Sequence, residues 1–243
     1  MQILAIGNSF SQDASRYLHQ IARADGVELN IANLYIGGCS LERHYRNMLA
    51  DNKAYELQYN GQWTGFFVSL KEALLNRTWD AVTIQQASHF SWDKETYDPY
   101  ARELLAYIKT CLPKVPVFFH ETWGYEDGSA RLANLGYETC EAMFADVIHA
   151  YHAVHEEIGT AGIIPSGELL LALLKGGIPT IHRDTFHLSL GLGRYAAGLL
   201  WYHVLTGRDV AENAFRDFDE PVTEEAIAVI KTCVASFAPI FGK

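Results

Sequence analysis

Short apolar runs alternate with stretches of helical periodicity along the whole chain, and this alternation limits the fold more than any single residue does. A run such as Ile3 to Ile6 is too short for a stable helix and reads as a buried strand. The segments between such runs repeat their apolar residues at helical spacing. Strands that alternate with helices predict an α/β architecture with a parallel sheet between helical layers. The first strand is expected at Ile3 to Ile6 and the second near Leu29 to Ile36. The third is expected at Ala81 to Ile84, the fourth at Val115 to Phe119, and the fifth at Ile163-Ile164.

The helices follow from the same pattern. Asp13 is read as the N-cap of the first, whose apolar face is Ala14, Tyr17, Leu18, Ile21 and Ala22. Ser69 caps a short helix running to Leu75, and one long helix is expected over Leu135 to Ile158. Tyr59-Asn60-Gly61-Gln62 carries the Asn-Gly hairpin signal and predicts a small β excursion. With no repeat or linker, residues 1–243 are expected to form one domain, a length within reach of a single α/β unit. The apolar C-terminal helix (Ile227, Val229, Ile230, Val234, Phe237) suits either the core or a contact between copies in a homo-oligomer.

Composition narrows the partners. The formal net charge of −10 argues against nucleic acid and anionic membrane, which need clustered Lys and Arg, and favours neutral or weakly charged substrates. The four cysteines are scattered without metal-ligand spacing, and Cys39, in a loop, is read as a structural thiol. No apolar run approaches the roughly 20 residues a membrane helix needs. The chain runs from Met1 directly into a strand pattern with no basic leader, which predicts a cytoplasmic protein.

Ligands of open α/β sheets bind beyond the carboxyl ends of the strands, where strand order reverses. With strand order 2-1-3-4-5, three loops meet there: Gly7-Asn8-Ser9, Gly37-Gly38, and Gln85-Gln86. Ser9 precedes a helix, where unpaired N–H groups favour developing negative charge. The distant pair Asp184 and His187 sits in Asp-Thr-Phe-His at the end of a loop. Together they supply the three roles of a serine hydrolase: Ser9 as nucleophile, His187 as base, Asp184 as the carboxylate that fixes the tautomer. The N–H groups of Ser9 and Gly38, with a side-chain amide from Gln85 or Gln86, are the expected oxyanion donors. The rival reading of His182-x-Asp184-x-x-His187 is a metal site, but no fourth ligand is evident and Arg183 disfavours a cation, so neither metal nor other cofactor is expected. His149, His152 and His155 recur along a helix at a spacing that drifts round its face, and are read as a solvated edge.

At these residues the chain resembles the SGNH hydrolase superfamily (GDSL-type esterases and lipases), and more closely its uncharacterised and carbohydrate-esterase branches. Gly7-Asn8-Ser9-Phe10-Ser11 is similar to the nucleophile block, Gly38 to the glycine of the second block, and Asp184-Thr-Phe-His187 to the Asp-x-x-His block. The resemblance implies a flavodoxin-like three-layer α/β/α fold and metal-free ester hydrolysis. Two positions depart from it. Asn8 replaces the usual aspartate, and Gln85-Gln86 stand where the third-block asparagine is expected. The G-x-S-x-G elbow of ordinary α/β-hydrolases is absent.

The expected rim loops also hold Trp63, Trp92, Trp123, Tyr125, His89, His120 and Glu121. Aromatic faces beside polar groups suit a sugar ring, with Trp123, Trp92 and His89 as the leading substrate contacts. Related branches deacetylate oligosaccharides, and the sequence reading is accordingly a carbohydrate O-acetylesterase acting on a small-molecule or oligosaccharide acyl ester. Two alternatives stand beside it: a hydrolase of short-chain lipid esters or thioesters, and a non-catalytic glycan-binding module on the same fold.

Overall fold

A computed structural model describes residues 1–241, so the last two positions of the expected domain lie outside it. The sheet has seven strands: β1 (Gln2–Gly7), β2 (Asn30–Tyr35), β3 (Tyr55–Tyr59), β4 (Gln62–Val68), β5 (Ala81–Ile84), β6 (Val117–His120) and β7 (Gly162–Ile164). Their order is β4-β3-β2-β1-β5-β6-β7. The five expected strands make its parallel part, in the expected order, with Ile3 to Ile6 buried on both faces as parallel strands require.

The two extra strands come from the Asn-Gly signal. Asn60 and Gly61 both take positive φ (52° and 78°), the geometry of a type I′ turn, and the hairpin they close pairs antiparallel to the outer edge of β2. The excursion therefore extends the main sheet instead of standing apart from it.

Ten helices are described: α1 (Ser9–Ser15), α2 (Leu18–Ala24), α3 (Leu41–Ala50), α4 (Leu70–Leu75), α5 (Tyr100–Cys111), α6 (Ala130–Asn134), α7 (Cys140–Ile158), α8 (Ser166–Lys175), α9 (Leu192–Thr206) and α10 (Glu224–Ala235). They flank the sheet in two layers. In one, α1, α2, α8 and α10 gather round α9, whose residues from Tyr195 to Leu205 are buried; in the other, α3 and α4 pack with α5. Helix α10 turns Ile227, Ile230 and Val234 into the core, so that face is internal. No helix among the described residues is long and apolar enough to cross a membrane.

Local chemistry set two boundaries differently from the periodicity. The expected long helix starts five residues late, at Cys140, where the Thr139 hydroxyl caps α7; residues 130–134 form the separate short α6, closed by Gly136 at φ +86°. The first helix begins five residues early, at Ser9 instead of Ala14, and stops at Ser15, so that Leu18, Ile21 and Ala22 of the expected face belong to α2. The N-cap of α1 is Asn8, whose Oδ1 accepts the Phe10 N–H at 2.9 Å, and Asp13 lies inside the helix. Ser69, by contrast, caps α4 as expected, with a full capping box to Glu72.

Candidate active site

Strand β1 ends at Gly7 and delivers Ser9 to the first turn of α1 at the carboxyl rim of the sheet. Gly7 is required by packing, since a Cβ there would collide with the Ser11 hydroxyl and the Gln85 amide. After β2, the turn Ile36-Gly37-Gly38-Cys39 closes with Cys39 N–H donating to Ile36 O at 3.1 Å, and Gly38 occupies a left-handed φ of +60°.

His187 arrives from the opposite side. Residues 182 to 188 form a tight loop closed by the His182–Leu188 bridge, in which Thr185 takes a φ of +75°. A β-branched residue in that region is strained by about 1–2 kcal/mol. The turn lets both oxygens of Asp184 accept from His187: Oδ1 from the backbone N–H at 2.9 Å and Oδ2 from Nδ1 at 2.8 Å. A carboxylate only accepts, so Nδ1 carries the proton and Nε2 is left as an acceptor. The Ser9 hydroxyl donates to Nε2 at 2.8 Å. Partial burial pushes the Asp184 carboxyl up, but the hydrogen bonds from the His187 ring and backbone hold it below its ordinary value. The carboxylate is therefore charged at neutral pH.

The loop carrying His187 is anchored by Asp13, which is fully buried. Its two oxygens accept from Arg183 Nη1 (3.0 Å each), from Arg194 Nε (2.8 Å) and from the Leu188 N–H (3.0 Å). Asp13, read above as an N-cap, instead ties α1 to the histidine loop. No local sequence signal marks this role, because its partners lie about 170 residues away.

Gln85 and Gln86 depart from expectation as oxyanion donors. Gln85 Nε2 donates to Asn8 Oδ1 at 2.8 Å, while its Oε1 accepts from His120 Nδ1 at 2.8 Å. Gln86 Oε1 accepts the N–H groups of Leu41 and Ala87, and its Nε2 donates to Thr96. Both amides are buried in these contacts, and neither lines the cavity beside Ser9. Asn8 is the hub of this chain of bonds, because its Nδ2 also donates to Cys39 O at 3.1 Å and so holds the glycine turn against α1. An aspartate could not make that donation. The N–H groups of Ser9 and Gly38 donate to no protein acceptor among the described residues.

A cavity of about 320 Å³ opens beside Ser9, Gly38 and His187, with Tyr35, Ser88, Tyr125, Arg131 and Phe186 among its walls. His89 lines it, as expected. Trp123 does not. It is fully buried, stacked on Phe10 (centroids 4.1 Å apart) with its indole N–H given to Phe186 O at 2.8 Å, and so supports the cavity floor from below. Trp92 is also removed from the cavity and donates its indole N–H to His89 O, bracing the loop. Trp63 stands on β4 and meets Tyr35 edge-on. Tyr35, Ser88, Arg131 and Phe186 escaped the sequence reading. Phe186 lay inside the quoted Asp-Thr-Phe-His motif, but nothing in the pattern showed that its ring would face a ligand.

The two histidines of the rival metal reading face different partners. His182 Nε2 donates to Gly124 O at 3.0 Å, whereas His187 Nε2 faces Ser9. Elsewhere, Glu121, His152 and Glu168 bring one ligand atom each within 4.8 Å of one another, away from the residues lining the cavity. His152 Nε2 and Glu168 Oε1 already hydrogen-bond at 2.8 Å. Cys39 is fully buried, and burial pushes its thiol up to about 12, in keeping with a structural thiol.

Residues 2–236 match the model of a family described as a domain of unknown function, DUF4886. A crystal structure of a DUF4886 protein from Bacteroides uniformis superposes with a TM-score of 0.88 at 32% identity, covering 96% of this chain and 93% of that one. A candidate SGNH hydrolase from Slackia heliotrinireducens aligns with a TM-score of 0.57 at 22% identity, over 82% of this chain and 95% of that one. A candidate GDSL-like lipase from Parabacteroides merdae gives 0.55 at 18%, over 82% and 93%. The last two likenesses establish the fold. A comparison with curated proteins finds no match.

Proposed function

The chain belongs to the DUF4886 family, built on the SGNH-hydrolase fold, and from that premise we propose that it is a serine ester hydrolase acting on acetyl esters of carbohydrates. The observation that carries the reading is the continuous relay from the Ser9 hydroxyl through His187 to Asp184, with both links at 2.8 Å. An N-cap or turn serine has no need of a tautomer-fixed imidazole at its hydroxyl.

The Ser9 oxygen attacks the acyl carbon as its proton passes to His187 Nε2, and the Asp184 carboxylate stabilises the resulting imidazolium. The carbonyl oxygen becomes an oxyanion beside the free N–H groups of Ser9 and Gly38, each worth about 10²–10³ in rate where such donors have been removed. Collapse returns the proton from His187 to the departing alcohol and leaves an acyl-Ser9. Water, deprotonated by the same imidazole, then releases the acid and restores the serine.

Substrate class follows from the cavity. Its volume lies at the small end of ligand sites, and its walls mix aromatic rings (Tyr35, Tyr125, Phe186) with hydroxyls and a ring nitrogen (Ser88, His89). That lining suits a short acyl group on a sugar better than a long acyl chain. The test is hydrolysis of 4-nitrophenyl acetate and of acetylated oligosaccharides by the wild type and by Ser9→Ala. The variant should fall below about 10⁻³ of wild-type turnover. Full activity in Ser9→Ala would refute the assignment, and preference for octanoyl over acetyl esters would refute the substrate class.

A further inference from the structure

The cavity beside Ser9 carries a positive charge that the fold leaves unused. Arg131 lines it together with Ser9 and His187, and its side chain is exposed. Its guanidinium sits 4.0 Å above the Phe186 ring centroid, and that ring lies 3.8 Å from the imidazole of His187. Arg131 and the base thus rest on one aromatic residue.

No carboxylate among the described residues lies within ion-pair distance of Arg131, and the acidic groups around it have other partners. Asp127 accepts from the Cys140 N–H, Glu126 from the Thr180 hydroxyl, and Asp184 from His187. Arg16, Arg183 and Arg194 differ in this respect, since they are paired with Asp13 or Asp219. Stacking on an aromatic face uses the flat of the guanidinium and leaves its in-plane N–H donors for a bidentate acceptor. Next to it on the wall, the Tyr125 and Ser88 hydroxyls are joined at 2.9 Å, and His89 lines the same cavity.

We infer that Arg131 forms a subsite for a carboxylate on the ester substrate, which makes the preferred substrate an O-acyl ester of a hydroxy acid, sugar acids included. This rests on the esterase reading above. A cavity lined by one unpaired arginine, in a protein of net charge −10, suits a singly charged small molecule, whereas a polyanion would be repelled by the rest of the surface. The two N–H donors would hold the carboxylate as a charge-assisted pair and bring the acyl carbon toward Ser9.

The test compares matched esters with and without the charge: 3- and 4-acetoxybenzoate against 4-methylphenyl acetate, and acetylated glucuronic acid against acetylated glucose. Wild type, Arg131→Gln and Arg131→Lys are assayed for kcat and KM at low and high salt. The wild type should favour at least one carboxylate ester, and Arg131→Gln should raise its KM about tenfold, as loss of a charged hydrogen bond implies. The ratio of kcat/KM for the carboxylate ester over its neutral match should fall by about that factor, and Arg131→Lys should recover part of the ratio. Equal use of charged and neutral esters by the wild type, or an equal loss on both in Arg131→Gln, overturns the subsite. Wild-type turnover of 4-nitrophenyl acetate keeps the two readings apart. Where it proceeds without a carboxylate preference, only the subsite fails; where it is absent, the esterase reading fails first.

Discussion

Replacing Asp13 by alanine perturbs the catalytic loop without touching any residue of the cavity. Asp13 is fully buried and accepts from two guanidinium groups and the Leu188 N–H. Breaking a buried ion pair by removing one partner costs about 3–5 kcal/mol. The lower end applies here, because the Arg183 side chain is 25% exposed and Arg194 keeps Asp219 at 3.0 Å. A loss of about 3 kcal/mol is therefore expected in urea denaturation. The loop that holds His187 loses its tether to α1, and misplacement by about 1 Å can cost 10²-fold in rate. The kcat for 4-nitrophenyl acetate, measured where the variant remains folded, should fall by about that factor. A control at the exposed Lys94–Glu157 pair (Lys94→Ala) should cost under about 1 kcal/mol and leave kcat unchanged. If Asp13→Ala lost less than about 1 kcal/mol and kept kcat within about twofold, the anchoring role would be wrong.

Three further outcomes follow. Asp184→Asn should lower kcat by about 10²–10³, less than the roughly 10⁴ of the serine-protease template, because the Asp184 side chain is 46% exposed and water partly replaces it; an unchanged kcat would contradict its role. His120 is fully buried and burial holds it at about 3, so below the ordinary histidine value of about 6.5 the unfolded chain takes up a proton that the native state refuses. Stability from this group is therefore lost as pH falls from about 6.5 toward 3, and His120→Gln should flatten the profile there by about 1.4 kcal/mol per pH unit; a parallel profile would refute it. Thr185→Asn, which tolerates the left-handed φ of +75°, should raise stability by roughly 0.5–1 kcal/mol, and a loss would show that the Thr185 side chain contributes contacts that outweigh its strain.

The parallel strands were legible because each apolar run is short and bounded by helical spacing, whereas their order came with the flavodoxin-like fold that the resemblance implied. The type I′ turn at Asn60-Gly61 was equally plain, since few residue pairs accept positive φ at both positions. Ser9, Asp184 and His187 were legible as residue types at strand and loop ends, and the fold brings them within hydrogen-bond reach. Long-range partnering was not legible. Gln85 looks the same in sequence whether its amide faces a ligand or holds Asn8, and only the His120–Gln85–Asn8 chain decides it. Trp123 failed as a surface residue for a related reason: a large aromatic in a rim loop can point outward or support the floor, and burial against Phe10 settles which. Asp13 and Arg131 depend on partners present or missing in three dimensions, for which no spacing rule exists.

A serine-directed fluorophosphonate followed by mass spectrometry tests the nucleophile most directly, because the adduct reports which hydroxyl is activated. The label should map to the peptide containing Ser9, disappear in Ser9→Ala, and slow by at least about 10²-fold in His187→Ala, as loss of a general base implies. Labelling at another serine, or equal labelling with and without the imidazole, would contradict the relay from Ser9 through His187 to Asp184.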